Sequence, residues 1–263
     1  MVVGGISIIG GGNMGGALAR GLVAGGLDPA GLTIVEVDDA KRVALARQFP
    51  GSTISGEVGP CVNAVIAVKP ADAPAATRAA VASGATMILS IAAGVTLAKL
   101  SAAAGPGVAV IRAMPNTPAL VGEGASGFAL ADGCSAVAEA FAHDVLGSVG
   151  FAVRVDEQLL DAVTGLTGSG PAYLFYVAEA LIAAGIAEGL AAGDAEALVR
   201  QLFLGAGKLL AESTDTPTRL RENVTSPNGT TAAGLAALAA AGGREAFIAA
   251  VRAATARSIE LGR

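Results

Sequence analysis

The stretch that decides the fold of this chain is Ile6-Ser7-Ile8-Ile9-Gly10-Gly11-Gly12-Asn13-Met14-Gly15. An apolar, strand-like run leads into three glycines and then into a helical stretch. The glycines have the spacing G-x-G-x-x-G. In this pattern Gly10 allows a tight turn, Gly12 lets the backbone approach a pyrophosphate, and Gly15 lets helix and strand pack closely. The first N–H groups of the helix then face the phosphates. The stretch predicts a dinucleotide-binding unit.

Short apolar runs alternate with helical stretches through the first half of the chain. Strands are predicted at residues 6–9, 33–37, 64–68, 87–90 and 108–112, and helices at 14–24, 72–81, 96–103 and 135–146. Such alternation is typical of a parallel, doubly wound sheet, which binds ligands at the carboxyl ends of its strands. We therefore predict an α/β, Rossmann-like dinucleotide-binding domain over residues 1–155.

Strand-like runs disappear after about Asp156, and apolar residues between 198 and 210 recur at helical spacing. Helices are predicted at residues 171–190, 231–241 and 244–261. Ala-rich helices with this much apolar face favour pairing with a second copy of the chain. We predict an all-α domain for dimerisation and substrate binding over residues 156–263.

Composition excludes several classes of protein. Among 263 residues, 53 % are hydrophobic and 15 % are charged, so disorder is excluded. The net charge is -5 and the basic residues are scattered, which disfavours nucleic-acid binding. Two cysteines and one histidine (His143, in a predicted helix) disfavour a metal site.

Membrane association and secretion are also disfavoured, although the mean hydropathy is +0.62. The longest uncharged runs, residues 79–98 and 223–243, hold hydroxyl residues, glycines and, in the second, a proline. The N-terminus has no basic stretch before its apolar run, and glycines interrupt that run, unlike a signal peptide. We predict a cytoplasmic protein with no membrane span.

The position of Glu36 bears on the choice of cofactor. It lies about 20 positions beyond Gly15, where dinucleotide-binding domains carry the acidic residue that meets the adenosine ribose. A carboxylate there accepts hydrogen bonds from both ribose hydroxyls and repels a 2′-phosphate. No arginine follows directly, and the nearest is Arg42. The residues predict NADH or NADPH as cofactor, with a modest preference for NADH.

Three further motifs, at residues 112–118, 163–173 and 224–234, are dense in hydroxyl, amide and glycine groups. The first follows a predicted strand and offers Asn116 and Thr117 as neutral hydrogen-bonding groups. The other two each lead from a loop into a helix. Helix N-termini that carry hydroxyls are good receptors for a carboxylate. N-capping alone needs only one Ser or Thr each, so we predict a second ligand site.

On these motifs the chain resembles pyrroline-5-carboxylate reductase over essentially its whole length. The matching stretches are residues 9–17, 67–70 (AVKP), 90–94 (SIAAG), 112–118 (RAMPNTP), 163–173 (VTGLTGSGPAY) and 224–231 (VTSPNGTT). The resemblance implies hydride transfer from NAD(P)H to C5 of 1-pyrroline-5-carboxylate. The product is L-proline, so this is the last step of proline biosynthesis. The chain is then an oxidoreductase acting on an imine, C=N, bond.

The resemblance also implies roles for particular residues. Thr164 is implied as the catalytic hydroxyl near the imine nitrogen. The implied substrate-binding residues are Ser226, Asn228, Gly229, Thr230 and Thr231. The implied cofactor-contacting positions are Gly10, Gly12, Asn13, Met14, Val68, Lys69, Pro70, Ala92 and Asn116. The family further implies a homodimer with intertwined helical domains, which many members assemble into decamers.

One departure and two alternatives accompany the resemblance. Asn228 stands where family members commonly have glycine, and we expect the loop to survive because asparagine tolerates left-handed backbone. A β-hydroxyacid-dehydrogenase-like oxidoreductase is one alternative. That class carries a catalytic lysine on the helix after the linker, whereas residues 164–190 hold none. A non-catalytic nucleotide-binding sensor is the other, and it does not need the hydroxyl-lined second site.

Overall fold

A computed structural model describes residues 5–262 of the chain. Eight strands among these residues form one sheet. They are β1 (Ile6–Ile9), β2 (Leu32–Val35), β3 (Thr53–Ser55), β4 (Asn63–Ile66), β5 (Met87–Ser90), β6 (Ala109–Met114), β7 (Gly124–Leu130) and β8 (Gly150–Arg154).

The sheet has the order β3-β2-β1-β4-β5-β6-β7-β8. All neighbours are parallel except β6 and β7, which are antiparallel. Because β1 pairs with β2 on one side and with β4 on the other, the order reverses at β1. A reversal of this kind leaves a crevice at the carboxyl ends of the strands, where α/β sheets bind ligands. The predicted Rossmann-like architecture is confirmed.

Helices cover both faces of this sheet. They are α1 (Asn13–Ala24), α2 (Asp39–Gln48), α3 (Ala73–Ala82), α4 (Leu97–Ala104), α5 (Ala136–Gly147) and the short α6 (Leu160–Val163). One buried layer contains Leu18, Leu45 and Phe141 from α1, α2 and α5. The other contains Ala80, Leu100 and Leu160 from α3, α4 and α6. The sheet is therefore buried on both sides, as its near-continuous apolar strands require.

The described residues after α6 form helices and no strand. These helices are α7 (Gly170–Ala187), α8 (Ala192–Glu212), α9 (Pro217–Asn223), α10 (Thr230–Ala240) and α11 (Gly243–Gly262). The predicted all-α second part is confirmed. Large apolar side chains on these helices are exposed; Phe175 and Tyr176 on α7, for example, are 65 % and 72 % exposed.

The described chain divides into two compact units, residues 5–169 with 252–262 and residues 170–251. The short segment 156–169 and the end of α11 thus belong to the unit that contains the sheet. This division differs from the domain boundary expected between residues 155 and 156. That boundary stays a prediction.

Several elements differ from the sequence expectation. The second strand ends at Val35, two residues earlier than predicted, so Glu36 follows the strand. Strands β3, β7 and β8 were not predicted. The first has only three residues, and the sequence of β7, GASGFAL, lacks a continuous apolar run. These strands form through pairing with their neighbours, which local patterns do not show.

Candidate active site

The glycines of the first turn serve different geometric needs. Gly10 has a φ of +110°, and a Cβ there would overlap the carbonyl oxygen of Ala67. A Cβ at Gly15 would overlap the carbonyl oxygen of Gly10, because α1 packs directly on the turn. At Gly12, by contrast, no described atom beyond its own chain neighbours lies within 4 Å of an added Cβ. Open space before a helix N-terminus, beside a tightly packed turn, is the shape that a pyrophosphate requires.

The predicted cofactor residues lie along one edge of the sheet. Glu36, the glycine turn, the Val68–Lys69–Pro70 segment, Ala92 and Asn116 follow β2, β1, β4, β5 and β6, which are consecutive in the sheet. Asn13 and Met14 open α1 at the same edge. The structure therefore brings these positions together at the carboxyl ends of parallel strands. Their contacts with a cofactor stay predictions.

Glu36 lies against the glycine turn. The residue is only 8 % exposed, and its Oε1 accepts a hydrogen bond from the N–H of Asp38 at 3.1 Å. Its Oε2 would be 3.4 Å from a Cβ at Gly11. The carboxylate therefore faces the loop that is expected to hold the dinucleotide.

Arg42 is six residues from Glu36 in the sequence, yet its side chain folds back to the end of β2. Its Nη1 donates to the carbonyl oxygens of Glu36 at 2.8 Å and Val37 at 3.0 Å. Its Nη2 pairs with Asp39. Side chains in a first helical turn point back toward the N-terminus, and Arg42 stands in the first turn of α2. The helix start is thus the signal that could have predicted this cation beside Glu36.

Thr164 begins a rare helical geometry. α6 continues into a π-helical turn, Thr164–Gly168, in which the N–H of Ser169 donates to the carbonyl of Thr164 at 2.8 Å. Single π turns occur often at functional sites. The Thr164 hydroxyl donates to the carbonyl of Leu160 at 2.8 Å. Its proton is engaged there, so the lone pairs of its oxygen are the groups presented to a ligand.

Asn116 makes contact with this turn. The residue is 8 % exposed, and its Nδ2 donates to the carbonyl of Thr167 at 3.0 Å. Its Oδ1 accepts the N–H of Ala125 at 2.8 Å. The amide thereby joins the loop after β6, the start of β7 and the π-helical turn. Sequence reasoning gave Asn116 only a ligand-contacting role and missed this one.

A charge cluster around one buried arginine, which sequence reasoning missed, lies beside the same turn. Arg112 of β6, whose side chain is 8 % exposed, donates from Nη1 to Oε1 of Glu157 at 3.0 Å. Its Nη2 lies 3.9 Å from Oδ1 of Asp161, which also accepts the hydroxyl of Ser258 at 2.6 Å. The N–H of Leu97 donates to Glu157 at 2.6 Å. An arginine inside an apolar strand is the sequence signal for a buried acidic partner.

The predicted substrate-binding residues form the entry to α10, in the second compact unit. Asn228 has a φ of +59°, which confirms that asparagine adopts left-handed backbone in this loop. The N–H of Gly229 donates to the carbonyl of Ser226 at 3.0 Å, and Gly229 is the N-cap of the helix. A Cβ at Gly229 would overlap the Ser226 hydroxyl, so that hydroxyl lies against the helix entry. Thr230 and Thr231 are the first two helical residues.

Other polar groups show no catalytic arrangement. His143 of α5 is exposed, and its ring packs edge-on against the buried Phe128, with centroids 4.9 Å apart. Burial raises the pKa of the Cys61 thiol, which makes it a poor nucleophile. Residues 5–262 contain no group of three His, Cys, Asp or Glu side chains placed to hold a metal ion.

One helical stretch, Glu157–Ala187, is long and apolar enough to cross a membrane by length and composition. This stretch is not one of the two long uncharged runs of the sequence, residues 79–98 and 223–243. It contains the π-helical turn, the glycines of the 163–173 motif and the exposed aromatic residues of α7.

Two family profiles match parts of the chain. Residues 157–261 match the profile for pyrroline-5-carboxylate reductase dimerisation. Residues 5–94 match the profile for NADP oxidoreductase, coenzyme F420-dependent. The Glu157–Ala187 stretch thus lies within the region of the dimerisation profile.

Relatives match the chain along its whole length. A pyrroline-5-carboxylate reductase of Synechocystis sp. is 39 % identical over 98 % of both chains. One of Pseudomonas aeruginosa is 37 % identical over 97 % of this chain and 96 % of its own. A structure of the reductase from Coxiella burnetii superposes with a TM-score of 0.94 at 31 % identity and covers 100 % of both chains. One from Plasmodium falciparum with NADP bound gives 0.82 at 26 % identity over 98 % of both.

Proposed function

The chain belongs to the pyrroline-5-carboxylate reductase family, and we propose which of its residues carry out that reaction. It is an NAD(P)H-dependent oxidoreductase that transfers a hydride to C5 of 1-pyrroline-5-carboxylate and yields L-proline. This step is the last in proline biosynthesis. The observation that carries this conclusion is the match to a reductase of this name over 98 % of the chain at 39 % identity.

For the cofactor, we propose the carboxyl edge of the sheet. Bound NAD(P)H supplies the hydride. The open space at Gly12 and the closely packed Gly10 and Gly15 fit a pyrophosphate at the start of α1. Asn13, Met14, Val68, Lys69, Pro70 and Ala92 are the further positions proposed to border the cofactor. The related Plasmodium falciparum structure with NADP bound supports a nicotinamide dinucleotide here.

Two opposite charges at the end of β2 govern the proposed cofactor preference. Glu36 favours the free ribose hydroxyls of NADH and repels a 2′-phosphate. Arg42, bonded to the carbonyls of Glu36 and Val37, attracts that phosphate. Because the carboxylate lies beside the glycine turn, we propose a modest preference for NADH, with NADPH accepted.

For the substrate carboxylate, we propose the entry to α10. The hydroxyls of Ser226 and Thr231, with the N–H group of Thr230, provide donors at a helix N-terminus. Donors to a carboxylate form charge-assisted bonds, and the helix dipole adds to them. Asn228 contributes the left-handed backbone that turns the chain into this helix.

For the imine, we propose that Thr164 binds the protonated nitrogen. Since its own proton is donated to Leu160, its oxygen accepts the N–H of the iminium. Hydride addition to C5 moves the C=N electron pair to nitrogen, which keeps its proton and becomes the secondary amine of proline. On this proposal Thr164 orients and stabilises the iminium, and the proton comes with the substrate. A site without His, Cys or Lys in its hydroxyl-rich loops suits that chemistry.

The role of Thr164 is tested by steady-state oxidation of NAD(P)H with pyrroline-5-carboxylate. We expect Thr164→Val to lower kcat by about 10- to 100-fold, or about 1.4–2.7 kcal/mol, and Thr164→Ser to retain most of the rate. Thr167→Val is the matched control, because it removes a hydroxyl from the same turn that also donates to a carbonyl four residues back. Full activity of Thr164→Val would disprove the assignment.

Assembly and location complete the proposal. The dimerisation profile covers residues 157–261, where apolar side chains are exposed. We propose that a partner subunit, and not a bilayer, covers the Glu157–Ala187 stretch and the helices after it. We also propose that homodimers associate into a decamer, as the family resemblance implies, and that the protein is cytoplasmic, as expected from its sequence.

The two alternatives make different predictions in the same assay. A β-hydroxyacid dehydrogenase would oxidise hydroxyacids, yet α7 carries no lysine. A nucleotide sensor would bind NADH and turn over neither substrate. Oxidation of NAD(P)H with pyrroline-5-carboxylate, without reduction of NAD(P)+ by hydroxyacids, supports the reductase.

A further inference from the structure

We infer that Arg112 and Asn116 are positioning residues, which hold the two ends of segment 157–168 and thereby orient the Thr164 hydroxyl. The inference rests on the proposed role of Thr164. The contacts of Arg112 and Asn116 with this segment all lie within the compact unit that contains the sheet.

Arg112 holds the beginning of the segment. Its guanidinium contacts Glu157 at 3.0 Å and lies 3.9 Å from Asp161, so one buried cation faces two acids on adjacent turns. Glu157 and Asp161 also accept bonds from Leu97 and Ser258. Removing the acids would leave the buried Arg112 guanidinium without its charged partners, which is costly even though Glu157 itself is one third exposed. Leu160, between the two acids, supplies the carbonyl that receives the Thr164 proton.

Asn116 holds the end of the segment. Its Nδ2 donates to the carbonyl of Thr167, within the π-helical turn, while its Oδ1 accepts the N–H of Ala125. Both polar atoms of this buried amide are therefore engaged by the protein. That geometry assigns Asn116 a positioning role beside, and separable from, the cofactor contact expected from sequence.

Close packing fixes the middle of the segment. A Cβ at Gly127 of β7 would lie 2.9 Å from both methyl carbons of Val163, so α6 lies directly on the strand. Thr164 is thus set between two polar anchors on a segment with little room to shift. Displacement of a reacting group by about 1 Å can cost about 100-fold in rate, which gives these anchors a kinetic consequence.

The test combines anchor variants with Thr164→Val. Asn116→Asp keeps the shape and the acceptor for Ala125 but removes the donor to Thr167. Arg112→Lys keeps the charge but not the two-armed geometry. Arg154→Met is the matched control, since it removes an ion pair in the same unit whose partner is Glu139 of α5 and not a residue of segment 157–168. Thermal melting checks folding, and Glu157→Gln replaces Arg112→Lys if that variant does not fold.

We expect each anchor variant to lower kcat by about tenfold or more while the Kd for NADH, from quenching or calorimetry, changes by less than about threefold. Added to Thr164→Val, either anchor variant is expected to cause little further loss, because both act through the same hydroxyl. The control is expected to match wild type.

Three results would overturn the inference. Unchanged kcat in both anchor variants would show that the contacts do not matter to the reaction. Weaker NADH binding in proportion to the loss would make Asn116 a direct cofactor contact. Losses that multiply with that of Thr164→Val would show independent action, while leaving the role of Thr164 intact. Full activity of Thr164→Val alone, by contrast, would refute the proposed role of Thr164 and the inference with it.

Discussion

Replacing Glu36 with serine is expected to erase or reverse the cofactor preference. The carboxylate is 8 % exposed and lies beside the glycine turn, so it interacts with an adenosine ribose through partly excluded solvent. If a 2′-phosphate lies about 8 Å from the carboxylate, then at an effective dielectric constant of about 20 each unit of its charge is repelled by about 2 kcal/mol. Serine keeps a hydrogen-bonding group for the ribose but removes this repulsion.

Arg42 offsets part of that repulsion, because its guanidinium lies on the carbonyls of Glu36 and Val37 at the same strand end. A net penalty of about 1–2 kcal/mol remains for the 2′-phosphate, which corresponds to about a tenfold preference for NADH. Arg42→Met is therefore expected to strengthen the preference, mainly by lowering kcat/KM for NADPH. Glu36→Ser should lower the ratio of kcat/KM for NADH to kcat/KM for NADPH, and Arg42→Met should raise it.

The assay is the ratio of kcat/KM for NADH to that for NADPH, at saturating pyrroline-5-carboxylate and fixed ionic strength. Asp132→Asn is the control. It removes an exposed acid after β7, five strands from β2 in the sheet. Two results would refute the reasoning: a wild-type enzyme that strongly prefers NADPH, or a Glu36→Ser ratio equal to that of wild type.

Three further predictions concern the substrate, the fold and the assembly. Ser226→Ala and Thr231→Ala should raise KM for pyrroline-5-carboxylate at nearly constant cofactor KM, since one charge-assisted bond is worth about 1.5–3 kcal/mol; unchanged kinetics in both would contradict the site. Gly12→Ala should retain the melting temperature but bind NADH weakly, whereas Gly15→Ala should lower the melting temperature, because only the second Cβ meets backbone. Sedimentation at micromolar concentration should show no stable monomer of 25.4 kDa, and a folded, active monomer would contradict the assembly.

The site was predictable to different extents. The glycine turn and the strand-end positions follow from local spacing and from the rule that parallel strands present their carboxyl ends together. The left-handed backbone of Asn228 follows from residue chemistry. The anchors on segment 157–168 were missed because Arg112 and Glu157 are 45 residues apart in sequence. The contact of Arg42 with the end of β2 was also missed, because it depends on where α2 begins.

The sequence by itself determined where β1 and β5 lie, that helices alternate with strands up to about residue 155, and that the rest is helical. Those features depend on short-range periodicity and on glycine conformation, which neighbouring residues encode. Only the tertiary structure decided the pairing of β7 antiparallel to β6, the π-helical turn at Thr164 and the direction of its hydroxyl. The strand pairing and the contact of the turn with Asn116 join residues distant in sequence, so their stabilisation appears only when the sheet and the segment packed on it are assembled. The bond of the Thr164 hydroxyl to Leu160 is local, but it forms within the helical geometry of that segment.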